Sequence, residues 1–157
     1  MLETVDYTEF YAETSEGQDL LARNGPNAVH EGKGRLLLVE DEPLSQKYCQ
    51  VLLQGRGYTL DIAANGKAAL EYIAAHTYQT ILMDVGLPDA SGIDVARVIR
   101  TTDNPNREVP IIAFTAHLDP AKHQACSDAG MTAFLIKPVS PTELCDMLAQ
   151  VAVLVAR

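Results

Sequence analysis

The sequence predicts an open, doubly wound α/β domain on a five-stranded parallel sheet. Short, wholly apolar runs recur from residue 35 onward, as expected of strands covered on both faces. They alternate with longer segments of helical period. Five such units within residues 35–157 are too few for an eight-stranded barrel, so the sheet stays open. A third observation concerns polarity: acidic, hydroxyl or ammonium side chains stand at the C-terminal ends of four of these runs.

Taken in order, the first strand is 36–39 (LLLV). The helix predicted at 43–56 carries Leu44, Tyr48, Val51 and Leu52 on one apolar stripe, and Gly55-Arg56-Gly57 stops it. The second strand, 59–63, places Leu60 and Ile62 on one face. Asn65 caps a helix at 66–76 with Ala69, Leu70 and Ile73 inward. The third strand is 80–83. Ser91 and Asp94 form a capping pair for a helix at 93–100.

The polar loop 101–108 leads to a fourth strand at 109–114. Asp119-Pro120 combines a cap with proline at the first helical position, opening a helix at 121–129. Gly130 ends it in a left-handed turn. The fifth strand is 133–136, and Ser140-Pro141-Thr142-Glu143 starts a helix that runs to the end. Residues 1–34 read as a linker or N-terminal extension, because Gly17, Gly25, Pro26, Gly32 and Gly34 punctuate a polar stretch. The folded domain is 35–157.

Composition narrows the function classes. The net charge of −9 leaves no basic stripe to release phosphate counterions, which argues against a nucleic-acid partner. No apolar stretch approaches the ~20 residues of a membrane span, and the acidic N-terminus lacks a signal peptide's apolar core. Cys49, Cys126 and Cys145 are far apart with no CxxC pair, which suits a reducing, cytoplasmic setting. They read as small buried hydrophobes.

The polar groups at the strand ends carry the chemistry. Glu40-Asp41-Glu42 follows the first run, Asp84 the third, Thr115 the fourth and Lys137 the fifth. The strand C-termini of a parallel sheet open onto a ligand crevice. Two carboxylates 4 Å apart repel by about 4 kcal/mol at an effective dielectric near ~20. A cluster of them therefore suits a divalent cation, and oxygen-only ligands favour Mg²⁺ over Zn²⁺. Asp84 is the candidate nucleophile toward phosphorus, Lys137 an ammonium neutralising the incoming charge, and Thr115 a hydroxyl donor to a phosphoryl oxygen.

The segments VEDEP, LMDVGLP, FTAH and FLIKP, in this order and spacing, resemble the receiver (response-regulator) domain of two-component signalling. The match runs from Arg35 to about Val155. It implies the flavodoxin-like strand order 2-1-3-4-5. It also implies that Glu40, Asp41, Asp84 and the Gly86 backbone carbonyl bind Mg²⁺, while Asp84 accepts a phosphoryl group from a phosphohistidine. Thr115 then becomes a switch hydroxyl, Phe134 a switch aromatic, Lys137 a phosphoryl contact, and the Lys137-Pro138 bond is expected to be cis.

Gly86 and His117 occupy positions that in this family influence phosphate lifetime. Leu87 replaces the family's usual methionine, and Glu42 takes a peripheral role. Wording such as VEDEPLSQKY is similar to receivers of hybrid sensor histidine kinases. The implied partners are a histidine kinase or a histidine phosphotransfer domain, with no independent enzyme in this chain. A stand-alone response regulator is the alternative.

Two rival classes are weaker on residues. An aspartyl-phosphate phosphohydrolase usually carries a second aspartate two residues after its nucleophile, where this chain has Gly86. A flavin-binding relative would need phosphate-binding groups after the first strand, where Glu40-Asp41-Glu42 stands. The terminal run Val151-Ala152-Val153-Leu154-Val155 leaves two readings open, a homodimer or partner surface through the last helices and a well-buried final helix.

Overall fold

The computed structural model describes residues 33–155; the predicted linker, 1–34, lies outside them except for its last two residues. Five parallel strands pair in the order β2-β1-β3-β4-β5. They are β1 (Arg35–Val39), β2 (Thr59–Ala63), β3 (Thr80–Met83), β4 (Ile111–Thr115) and β5 (Ala133–Ile136). Five helices follow them: α1 (Pro43–Gly55), α2 (Gly66–Ala75), α3 (Gly92–Thr101), α4 (Pro120–Asp128) and α5 (Pro141–Val155). The expected strand order is the observed one.

Alternation along the strands divides the interior into two layers. Leu36 and Leu38 of β1, with Leu82, Ile112 and Phe114, pack against Tyr48, Leu52, Leu144 and Leu148 of α1 and α5. Leu37 and Val39, with Ile81, Met83 and Ala113, face Ala69, Ile73, Val95 and Ile99 of α2 and α3. Both faces of the sheet are buried, which is why residues 36–39 and 81–83 read as unbroken apolar runs. Leu60 and Ile62 pack on the same layer, as their spacing predicts.

The predicted caps form. Asn65 Oδ1 accepts from the Ala68 amide at 2.8 Å, Asp119 Oδ1 from Lys122 at 2.8 Å, and Ser140 Oγ from Glu143 at 3.1 Å. Ser91 Oγ also caps α3, accepting from Ile93 at 3.2 Å, but the expected pair with Asp94 does not close, because the Asp94 carboxylate accepts from Arg97 at 3.2 Å. Gly130 takes φ +93°, the left-handed conformation that closes α4.

Three local expectations change. Strand β4 begins at Ile111, later than predicted, because Pro110 has no N–H to enter the ladder; Thr115 becomes its last residue. Leu44 is 38 % exposed, so of the predicted stripe on α1 only Tyr48, Val51 and Leu52 are buried. Cys49 and Cys126 are buried but Cys145 is only partly so. On α5, Leu144, Leu148 and Val151 are buried while Val153 is 59 % exposed. Among the described residues no helix is long and apolar enough to cross a membrane.

Candidate functional site

Backbone hydrogen bonds carry the sheet one step past the strand ends and so place the polar residues. The Glu40 amide donates to the Ala63 carbonyl at 2.9 Å and the Asp84 amide to Val39 at 2.9 Å. The Lys137 amide donates to Thr115 at 2.8 Å. With Val39 opposite Met83 and Thr115 opposite Ile136, these side chains share one edge. That edge lies where the chain reverses direction across the sheet, between β1 and β3.

The side chains meet there. Lys137 Nζ donates to Glu40 Oε1 at 2.7 Å and Oε2 at 2.8 Å, and to Asp84 Oδ2 at 3.4 Å. The Lys137 side chain, from the far strand β5, is only 6 % exposed and that of Glu40 is fully buried. Its ammonium crosses β4 above the Phe114 ring, 5.0 Å from the centroid, a cation–π contact in a desolvated setting. Carboxylate oxygens of Glu40, Asp41 and Asp84 can lie within 4.8 Å of one another. A set of hard oxygen donors of this kind fits a divalent cation such as Mg²⁺.

Burial first, then Asp84 as hydrogen-bond and charge neighbour, push the Glu40 carboxyl from 4.5 up to about 8, against the lowering pull of Lys137. The neighbouring Cys49 thiol is pushed up to about 12 by its burial. It therefore stays protonated and is no nucleophile.

The cleft has a volume of about 460 Å³ and is lined by Asp41, Asp84, Gly86, Thr115, Lys122 and Lys137 among others. The Gly86 amide donates to Asp84 Oδ1 at 3.0 Å. Gly92 approaches so closely that an added Cβ would collide with the Asp84 carbonyl, which accounts for glycine there. Asp89 Oδ1 and Oδ2 accept from the Gly66 and Lys67 amides at 2.7 and 3.1 Å, tying the loop after Asp84 to the start of α2. Those amides hold the Asp89 carboxyl below its usual range.

The Thr115 hydroxyl donates to the His117 carbonyl at 3.3 Å. Phe134 lies apart, partly buried and stacked on His123 with centroids 4.0 Å apart. The Lys137-Pro138 bond is cis. Every side chain predicted for the site thus reaches this edge except Phe134, which flanks it.

Sequence reasoning missed Phe114, Lys122 and Asp89. A lysine in the first turn of a helix, against the positive dipole end, was the signal available for Lys122. Glu42 has a structural task, since its Oε2 accepts from the Ser45 amide at 2.6 Å and caps α1.

Residues 36–149 match the family model of the response regulator receiver domain. The chain is 28% identical over 145 residues to the sensory/regulatory protein RpfC of Xanthomonas campestris, covering 90% of this chain and 20% of RpfC. It is 34% identical over 110 residues to the response regulator ArlR of Staphylococcus saprophyticus, covering 70% of this chain and 48% of ArlR. The chain thus spans half or less of these relatives. Among solved structures, the receiver domain of the sensor histidine kinase PA1611 of Pseudomonas aeruginosa superposes with TM-score 0.70 at 36% identity. That match covers 76% of this chain and 97% of the other, whose active-site cleft coordinates a magnesium ion. The chemotaxis protein CheY4 of Vibrio cholerae gives TM-score 0.72 at 27% identity, covering 78% and 99% of the two chains.

Proposed function

The chain belongs to the response regulator receiver domain family, and on that premise we propose that Asp84 accepts a phosphoryl group from a phosphohistidine. The single observation that carries this reading is the Lys137 ammonium held between Glu40 and Asp84. A carboxylate oxygen of Asp84 bonds to phosphorus as the P–N bond breaks. The imidazole leaves with the bonding pair, neutral when its other nitrogen carries a proton. Lys137 stands against the charge that arrives, and Thr115 supplies a hydroxyl to a phosphoryl oxygen.

The carboxylates of Glu40, Asp41 and Asp84 would hold Mg²⁺, joined by the Gly86 carbonyl, and the bound ion supplies charge neutralisation at the transferring oxygens. The chain catalyses only its own phosphorylation and dephosphorylation, in the cytoplasm. Its partners are a histidine kinase or a histidine phosphotransfer domain. Relatives include both hybrid kinases and separate regulators; the hybrid-kinase reading is supported by the 36% identity to the receiver domain of the sensor histidine kinase PA1611. Thr115 and Phe134 couple the phosphoryl group to the surface by a population shift between two packings.

Incubation with a radiolabelled phosphohistidine protein should label the wild type and leave Asp84→Asn unlabelled; wild-type labelling of the variant would refute the assignment. A homodimer through the last helix is supported by the exposed Val153. Sedimentation velocity should detect it with a phosphoryl mimic bound, and a monomer in both states would remove it.

A further inference from the structure

The cleft contains a second ammonium that the phosphoacceptor reading leaves without a task. Lys122 lines the same walls as Asp84 and Thr115. Its Nζ donates to the His117 carbonyl at 3.1 Å, and that carbonyl is the one the Thr115 hydroxyl meets at 3.3 Å. Two donors from β4 and α4 therefore converge on one neutral acceptor at the rim.

Lys122 is placed against the local preference of its helix. Its amide is the one capped by Asp119, so it sits in the first turn of α4, where the helix dipole disfavours a cation. Local preference set aside in this way points to a duty elsewhere. Lys137, by contrast, is engaged by two carboxylates, whereas the bond found for Lys122 goes to an uncharged carbonyl. Finally, the cleft is lined by Glu40, Asp41, Glu42 and Asp84 but only two lysines. A phosphoryl dianion entering it therefore has two ammoniums to meet besides a bound divalent ion, and Lys122 is one of them.

We propose that Lys122 is a binding residue for the phosphoryl group on Asp84, turning with the Thr115 hydroxyl from the His117 carbonyl to a phosphoryl oxygen. The proposal rests on Asp84 being the phosphoacceptor. It adds a charge-assisted contact from α4 to those of Lys137 and Thr115, and so links the phosphoryl group directly to that helix.

Beryllium fluoride, a tetrahedral phosphoryl mimic, tests it in the full chain with Mg²⁺ present. Lys122→Gln removes the charge but keeps an N–H donor for the His117 carbonyl, and Lys122→Arg keeps both. The Gln variant should bind the mimic about tenfold more weakly, the low end for a partly exposed charge-assisted contact. Between about 0.05 and 0.5 M salt its affinity should vary less than that of the wild type, whereas the Arg variant should resemble the wild type. Affinity for Mg²⁺ alone, measured in parallel, should not fall in either variant.

If the Gln variant matches the wild type in affinity and salt dependence, Lys122 only holds the loop and the proposal is overturned. If the wild type itself binds no beryllium fluoride, the phosphoacceptor reading fails first and this one with it.

Discussion

Glu40 shows how burial can set the working state of a single residue. Its carboxyl is pushed up to about 8 chiefly by desolvation, yet it accepts two short bonds from Lys137. The folded state holds that proton more tightly than the unfolded chain does. Stabilisation present below about pH 4.5 is therefore lost as pH rises through about 8 in the metal-free protein. A cation held by Glu40 would have to displace that proton below about pH 8. Apparent Mg²⁺ affinity should then rise with pH and level off above that value. Calorimetry in buffers of different ionisation heat should detect proton release, absent in Glu40→Gln; a pH-independent affinity in the wild type would contradict this.

Among the elements, the connections matter as much as the strands. Asn106 is fully buried in what the composition marks as a polar loop. Its Oδ1 accepts from the Tyr78 amide at 2.7 Å, and its Nδ2 donates to the Ile73 and His76 carbonyls at 2.9 and 2.6 Å. One amide thus joins the end of α2 to the entry of β3. Asn106→Ala should cost about 2–4 kcal/mol in urea unfolding, because it leaves buried backbone groups unpaired. A loss below about 0.5 kcal/mol would mean that water replaces the side chain.

Asp61 does similar work on β2. It accepts from Arg35 at 2.8 Å and from the Tyr78 hydroxyl at 2.7 Å, and burial with that bond raises the Tyr78 phenol.

At the scale of the described domain, two buried apolar layers flank the strands while acidic groups crowd one edge of the sheet. A divalent ion held by these carboxylates in the folded state alone would add to its stability, which would link metal binding to folding. At a Mg²⁺ concentration a hundredfold above its dissociation constant, the ion should add about 2.7 kcal/mol of stability. Thermal unfolding with Mg²⁺ and with EDTA measures this, and Asp41→Asn should abolish most of the difference. Equal midpoints for the wild type in the two conditions would exclude a metal site at these carboxylates.

The apolar runs, helix stripes and caps were legible in the sequence because strand and helix periods are local properties, and each cap lies within a few residues of the group it satisfies. The strand-end positions of Asp84, Thr115 and Lys137 were legible for the same reason. Only the tertiary structure decided that Lys137 crosses β4 over Phe114 to reach Glu40, that Asn106 is buried, and that Lys122 shares an acceptor with Thr115. The Lys137 and Asn106 contacts join residues far apart in the chain and depend on which strands become neighbours and in what register, while Lys122 meets the His117 carbonyl through the local path of the β4–α4 loop. Sequence periodicity carries no record of such pairings.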